Sequence, residues 1–170
     1  MLIGKGWGVS VREEPLIRAT ELSDRVGDRP ELLKLLFQTA QLYLQRLRWE
    51  EARQLAERAI ALAQSIGDQI QEAGAWHNLA ESSFWSGDLV AAKQWCEKAL
   101  GLLADVPPEL LVSSFGHDLW MISSHIAGIV ELILGRPDCL VEWENRLIER
   151  AGSSTHIYSK ALGMVAASWI

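Results

Sequence analysis

The stretch AGAWHNLAESSFWSGDLVAAKQWCEKAL, residues 73–100, contains two apolar-patterned segments separated by a Gly-Asp pair. Apolar and small residues recur every three or four positions on both sides of Gly87-Asp88, which predicts two amphipathic helices. Glycine accepts the positive φ that ends a helix, and aspartate caps the helix that follows. The stretch therefore predicts a helical hairpin with a tight turn at Gly87-Asp88.

The second helix of this hairpin recurs along the chain with a shift of 40 residues. Residues 89–108 align with 49–68 and with 9–28, and a weaker copy begins at Pro137. Because one hairpin cannot bury its own apolar face, several copies indicate a solenoid. The apolar spacing and the Gly, Asp and Pro punctuation predict eight helices, near residues 10–26, 30–46, 49–66, 69–86, 88–104, 116–134, 137–151 and 154–170.

Residues 73–104 resemble the tetratricopeptide repeat (TPR). Trp76 takes the first aromatic position of that repeat, Leu79-Ala80 follow at the spacing of its Leu-Gly, and Ala92 and Ala99-Leu100 take small-residue positions of its second helix. Small residues there let paired helices approach closely. The resemblance implies an all-α, right-handed α-solenoid of antiparallel helix pairs that forms one domain over residues 1–170. We expect full repeats at 30–66, 69–104 and 116–151, half-repeats at 10–26 and 154–170, and a chain that is a fragment of a longer array.

Two further segments carry a second resemblance. The sequences FGHD at 115–118 and LGRPD at 134–138, set among long repeats, resemble the C-terminal TPR region of large bacterial signalling ATPases. In those proteins the repeats follow an NTPase module, which is often fused to a nucleotide cyclase, such as an adenylate cyclase, or to a protein kinase domain. The resemblance implies a regulatory or structural role for the repeats. The chain contains no GxxxxGK[ST] phosphate loop, so any such activity would lie in another part of a parent protein.

Composition excludes several function classes. The formal net charge is −6, with 22 acidic and 16 basic residues, and no basic run provides a nucleic-acid footprint. The longest apolar stretch, near 120–135, is interrupted by serines, a histidine and a glutamate, so no membrane span is predicted. Cys96 and Cys139 form no CxxC motif and are interpreted as reduced thiols. With no signal peptide at the N-terminus, these features predict a cytoplasmic protein.

The repeat register predicts a groove face on the first helices of the pairs. In TPR proteins the first helix lines the concave groove, which places His77 and Glu81 there together with their equivalents in neighbouring repeats. The predicted groove is mixed polar and aromatic, which suits an extended peptide or a helix, and it predicts a protein-interaction module. The predicted groove residues are Lys34, Phe37, Gln41, Gln45, His77, Glu81, Phe84, Trp85, His125, Ile129, Lys160 and Met164.

Alternatives remain open for the chemistry and for the partner. His77 and Glu81 are four residues apart and share a helix face, so with His125 they could hold zinc in a small metallohydrolase. The sequence contains no HExxH motif and no set of catalytic residues, and it predicts neither enzymatic activity nor a metal or cofactor. The partner is a protein, a peptide or a neighbouring domain of a parent protein. Solenoid ends without polar caps also favour self-association.

Overall fold

The computed structural model describes residues 13–168, and the regular structure of that range is helical. Nine α-helices follow one another within it, and none of its residues forms a strand. A 3-10 turn at Pro137–Cys139 leads into the eighth helix. The helices are α1 (Glu13–Val26), α2 (Arg29–Gln45), α3 (Trp49–Ile66), α4 (Gln69–Ser86), α5 (Leu89–Leu103), α6 (Pro108–Phe115), α7 (Leu119–Ile133), α8 (Leu140–Ser153) and α9 (Ile157–Ala167).

The Gly-Asp pairs end one helix and start the next, as predicted. Gly67 and Gly87 adopt the left-handed conformation, with φ of 74° and 88°, which glycine accepts without a steric penalty. The carboxylates of Asp68 and Asp88 each accept a hydrogen bond at 3.0 Å from the backbone N–H three residues further on. These bonds satisfy N–H groups that a first helical turn leaves unpaired, so each turn between these helices is short.

Apart from α6, each helix packs against the next one along the chain, and together they form a single stack. The first helices of the pairs are α2, α4, α7 and α9, and the second helices are α3, α5 and α8, while α1 occupies a second-helix position before α2. Contacts also join α2 to α4, α4 to α7 and α7 to α9, so the first helices form one layer. This arrangement confirms the prediction of an all-α solenoid built from helix pairs.

Small side chains allow the paired helices to approach closely. The alanines on the inner face of α3 are at most 3% exposed, and leucines of α2 pack beside them. The corresponding face of α5 also carries small, buried side chains. Close backbone approach and interdigitated large residues together produce the density of a protein core. The buried small residues are Ala52, Ala56, Ala59 and Ala63 in α3, and Ala92, Cys96 and Ala99 in α5.

The prediction of eight helices omitted α6, because the sequence analysis predicts no helix between residues 104 and 116. The helix α6 begins at Pro108, and proline is favoured in the first helical turn. It buries Leu111 and Phe115, and a segment of eight residues covers only about two helical turns, which is too short for a helical period to stand out. The next helix consequently begins at Leu119 and not at the predicted residue 116.

The other predicted boundaries differ from the structure by a few residues. The segment predicted at 137–151 begins with the 3-10 turn, so α8 starts at Leu140, and the segment predicted at 154–170 is α9, which starts at Ile157. The predicted helix residues 10–12 and 169–170 lie outside the described residues. Between residues 13 and 168, no helix is both long enough and apolar enough to cross a membrane.

Candidate partner-binding groove

The groove face is the side of α2, α4, α7 and α9 that carries the predicted groove residues. On it, the Gln41 amide nitrogen of α2 donates to Asn78 Oδ1 at 2.6 Å and to Glu81 Oε2 at 3.0 Å, both on α4. The Asn78 amide nitrogen donates in turn to the Phe37 carbonyl oxygen at 3.3 Å. These bonds fix α2 against α4 and bring the predicted groove residues Gln41 and Glu81 into direct contact.

Glu81 is a partly covered carboxylate within the groove face. Its side chain is 22% exposed, and burial raises its pKa, while the hydrogen bond from Gln41 acts in the opposite direction. An ionised carboxylate has about four lone-pair sites, and the Gln41 amide and the Trp85 side chain each use one of them. Glu81 can therefore accept a hydrogen bond from a donor group of a partner.

His77 lies beneath the groove face and not on its surface. The ring is 2% exposed, its Nδ1 atom lies 3.0 Å from Ser123 Oγ of α7, and its Nε2 atom lies 3.6 Å from Glu81 Oε2. Burial lowers the pKa of His77 to about 4, because the charged form is poorly solvated there. His77 is thus a neutral, buried link between α4 and α7, which excludes direct contact with a partner in this structure.

The helix α6 covers part of the groove face over α2 and α4. The Phe115 ring of α6 packs on the Phe37 ring of α2, with centroids 4.8 Å apart and planes tilted by 51°. A Cβ atom at Gly74 of α4 would lie 2.7 Å from the Phe115 ring, so the ring fits because residue 74 has no side chain. Leu111 of α6 is fully buried. Phe37 is therefore covered by the chain's own helix.

Apolar side chains are exposed further along the first helices, toward their C-terminal ends. Trp85 of α4 is 54% exposed, Met164 of α9 is half exposed, and Phe84 packs edge-on against Trp85 with centroids 5.1 Å apart. Ile129 of α7 is partly exposed. Ile133, one turn beyond it, is also exposed and was missed, although a spacing of four residues places both on one helix face. This part of the groove face offers apolar contact area.

The remaining predicted groove residues differ in exposure. Lys34, Gln45 and Lys160 are exposed to solvent, and Lys34 forms an ion pair with Glu31 of its own helix at 3.3 Å. His125 is partly buried, and burial lowers its pKa. These four side chains keep the groove face polar around the apolar area.

The metallohydrolase alternative lacks the ligand set that it requires. Among residues 13–168, no group of three or more His, Cys, Asp and Glu side chains is arranged to hold a metal ion. Ser123 lies within hydrogen-bond distance of one ring nitrogen of His77, and the other ring nitrogen faces Glu81. His77 and Glu81 therefore connect α4 to its neighbouring helices, His77 through Ser123 of α7 and Glu81 through Gln41 of α2.

Comparison with known proteins supports the fold. No known family profile matches the chain, and no curated protein matches it. Among solved structures, the nearly identical TPR-like repeats of a candidate kinesin light chain from Podosopora anserina are similar, with a TM-score of 0.64 and 17% identity over 92% of this chain and 76% of that chain. A single-substitution variant of the same repeats gives a TM-score of 0.66 at 16% identity, with the same coverage. The chain therefore has the fold of TPR-like repeats.

Proposed function

We propose that the chain is a protein-interaction module that binds a segment of a protein partner on its groove face. TPR-like repeats generally mediate protein–protein interaction, and the fold is that of such repeats. The observation that carries the proposal is the pairing of a partly exposed carboxylate, Glu81, with an exposed indole, Trp85, one turn along the same helix. Large aromatic side chains in such positions are common anchors of interfaces.

The position of α6 narrows the proposed site. Because α6 covers Phe37, and His77 lies beneath the surface, the accessible residues are Glu81, Trp85 and the apolar side chains further along α7 and α9. A suitable partner segment presents an apolar side chain to Trp85 and a donor, such as a lysine, an arginine or an amide, to Glu81. The mechanism is display of fixed side chains on a rigid layer of first helices.

A second candidate partner is a neighbouring domain of a larger protein, such as a bacterial signalling ATPase that the repeats restrain or sense. The observation that favours it is α6 itself, because a segment of this chain already docks on the groove face through Leu111 and Phe115. The neighbouring coding sequence separates the two cases. An adjoining NTPase, cyclase or kinase reading frame supports a partner in the same protein, and its absence supports a separate partner.

Peptide selection tests the proposed site. The full chain is immobilised and used to select binders from a phage-displayed library of random peptides, and selected peptides are then measured against variants. Trp85→Ala is expected to weaken binding by about 30-fold, since truncation of an aromatic anchor costs ~2 kcal/mol or more. Glu81→Gln is expected to weaken the binding of peptides that carry a basic residue. Val90→Ala, at an exposed site on α5, is the control and is expected to leave the affinity for the peptides unchanged. Peptides that bind Trp85→Ala as tightly as the unmodified chain would place the site elsewhere.

A further inference from the structure

A cleft lies between the two second helices α5 and α8, with α7 at its base. Its volume is about 290 Å³, close to the lower end of the range of about 300–1,000 Å³ in which proteins bind small molecules. The residues that line it belong to α5, α7 and α8, and none of them is a predicted groove residue. The cleft is therefore a surface separate from the groove face.

Arg146 of α8 lines this cleft and carries a positive charge that no carboxylate of the described chain compensates. Its guanidinium carbon lies 4.8 Å from the centre of the Trp143 ring and 5.0 Å from the centre of the Trp120 ring, so two indoles hold the guanidinium in place. Arg150, one turn further along α8, also lies over Trp120, but it donates two hydrogen bonds to Asp118, at 2.6 and 3.1 Å. Arg146 forms no ion pair within residues 13–168, so its N–H groups are available to an anion.

The other charged side chains in and beside the cleft are paired with one another. Lys93 Nζ of α5 lies 2.9 Å from Glu131 Oε1 of α7 and 3.9 Å from Glu97 Oε1 of its own helix. Arg136 Nε lies 3.3 Å from Glu131 Oε2. These four side chains carry two positive and two negative charges, which leaves the charge of Arg146 in excess. A single excess positive charge matches a carboxylate better than a phosphate monoester, whose charge is about −1.5 to −2 at pH 7.

The rest of the lining is apolar and provides room for the body of a ligand. Leu100 of α5, Ala127 of α7 and Trp143 of α8 all line the cleft and all belong to the packing around one core cluster. Gly101 lies beside Leu100 in the lining, and a Cβ atom added there would meet no atom within 4 Å. The missing side chain at residue 101 therefore leaves part of the cleft open.

We propose that this cleft binds a small carboxylic acid with a compact apolar body. The carboxylate pairs with the Arg146 guanidinium, because the planar fork of N–H groups matches two carboxylate oxygens. The apolar body lies against Leu100, Ala127 and the Trp143 ring, where it leaves water. The volume of the cleft favours such a small molecule over a helix or an extended peptide.

Isothermal titration calorimetry on the full chain tests this proposal with benzoate, phenylacetate and isovalerate as probes. At least one of these acids is expected to bind saturably, with one site per chain. The corresponding amide, which has the same shape and no charge, is expected to bind at least about 10-fold more weakly, since it offers no charge-assisted hydrogen bond to Arg146. Acetate, which has the carboxylate but no apolar body of similar size, is also expected to bind more weakly.

Two variants locate the binding in the cleft. Arg146→Gln removes the excess charge and is expected to weaken the acid at least about 10-fold. Gly101→Leu places a side chain in the open part of the cleft and is expected to abolish binding. Gly152→Leu is the matched control, because Gly152 is an exposed glycine of α8 outside the cleft lining and a Cβ atom there also meets no atom within 4 Å. It is expected to bind the acid as the unmodified chain does.

Several results would overturn the proposal. They are the absence of saturable binding for all three acids, an amide that binds as tightly as its acid, and unchanged affinity in Arg146→Gln or Gly101→Leu. Circular dichroism checks that each variant keeps its helix content. The outcome is independent of the groove proposal, since both substitutions lie outside the groove face and are expected to leave the affinity for selected peptides unchanged.

Discussion

Acidification is expected to destabilise the fold through His77, because this ring is buried in its neutral form. Burial lowers its pKa from 6.5 to about 4 in the folded protein, so the unfolded chain binds the proton more tightly. The stabilisation from the neutral ring is complete above pH 6.5 and is lost as pH falls toward 4. A pKa difference of about 2.5 corresponds to ~3 kcal/mol in total, of which about 2 kcal/mol is lost between pH 7 and pH 5. That loss is a large fraction of the stability of a typical domain.

Other groups titrate nearby, so the prediction is stated as a difference between variants. Burial also lowers the pKa of His117 to about 4, which adds to the loss of stability on acidification. Burial raises the pKa of Glu81, which opposes that loss. Urea denaturation is measured at pH 7, 6 and 5 for the unmodified chain and for His77→Asn. The variant is expected to be less stable at pH 7 but to lose about 2 kcal/mol less between pH 7 and pH 5.

Ser123→Ala is the matched control, because it removes the hydrogen bond to the His77 ring and keeps the titrating group buried. It is expected to lower stability at every pH while it retains the pH dependence of the unmodified chain. Parallel curves of unfolding free energy against pH for the unmodified chain and His77→Asn would refute the reasoning. That result would mean that the ring is neutral to a similar extent in the folded and unfolded states.

Three further predictions concern packing, a buried ion pair and a thiol. Gly163→Ala is expected to lower the free energy of unfolding by about 1–3 kcal/mol, since its Cβ would lie 2.9 Å from a Cβ of α8. Gly101→Ala meets no atom within 4 Å and should raise the free energy of unfolding, measured by urea denaturation, by up to about 1 kcal/mol. Asp118→Asn is expected to lower the free energy of unfolding by about 3–5 kcal/mol, because this fully buried carboxylate accepts a hydrogen bond from Arg150 at 2.6 Å. Asp88→Asn, at an exposed helix cap, should change the free energy of unfolding by only a few tenths of a kcal/mol. Burial raises the pKa of Cys96 to about 12, so a thiol reagent added to the native chain at pH 8 is expected to label only one cysteine. Labelling of both cysteines before the chain unfolds would contradict the structure.

The helices and their pairing were predictable because their signals are local. The spacing of apolar residues, the glycine that ends a helix and the aspartate that caps the next all act within a few residues of one another. The turns at Gly67-Asp68 and Gly87-Asp88 follow that pattern directly. The helix α6 was missed for the converse reason, since its formation depends on packing of Leu111 and Phe115 against distant helices and its own eight residues carry little periodicity.

The same contrast holds for the candidate site. The contact between Gln41 and Glu81 was predictable, because the repeat register places equivalent residues of adjacent first helices side by side. The burial of His77 was not predictable, because it depends on the packing of α7 against α4, and the α7 residue that contacts the ring, Ser123, lies 46 residues further along the chain. A groove position identified by register does not reveal whether another segment covers it.

The sequence by itself therefore determined the helical pairs, their capped turns and the small-residue faces along which they pack. The tertiary structure decided which part of the groove face stays open, since Phe115 reaches Phe37 only when α6 folds back across α2 and α4. It also decided that His77 is a neutral core residue, while Trp85 remains in contact with solvent. The physical reason is that helix periodicity is a property of neighbouring residues, whereas burial depends on contacts between residues far apart in the chain.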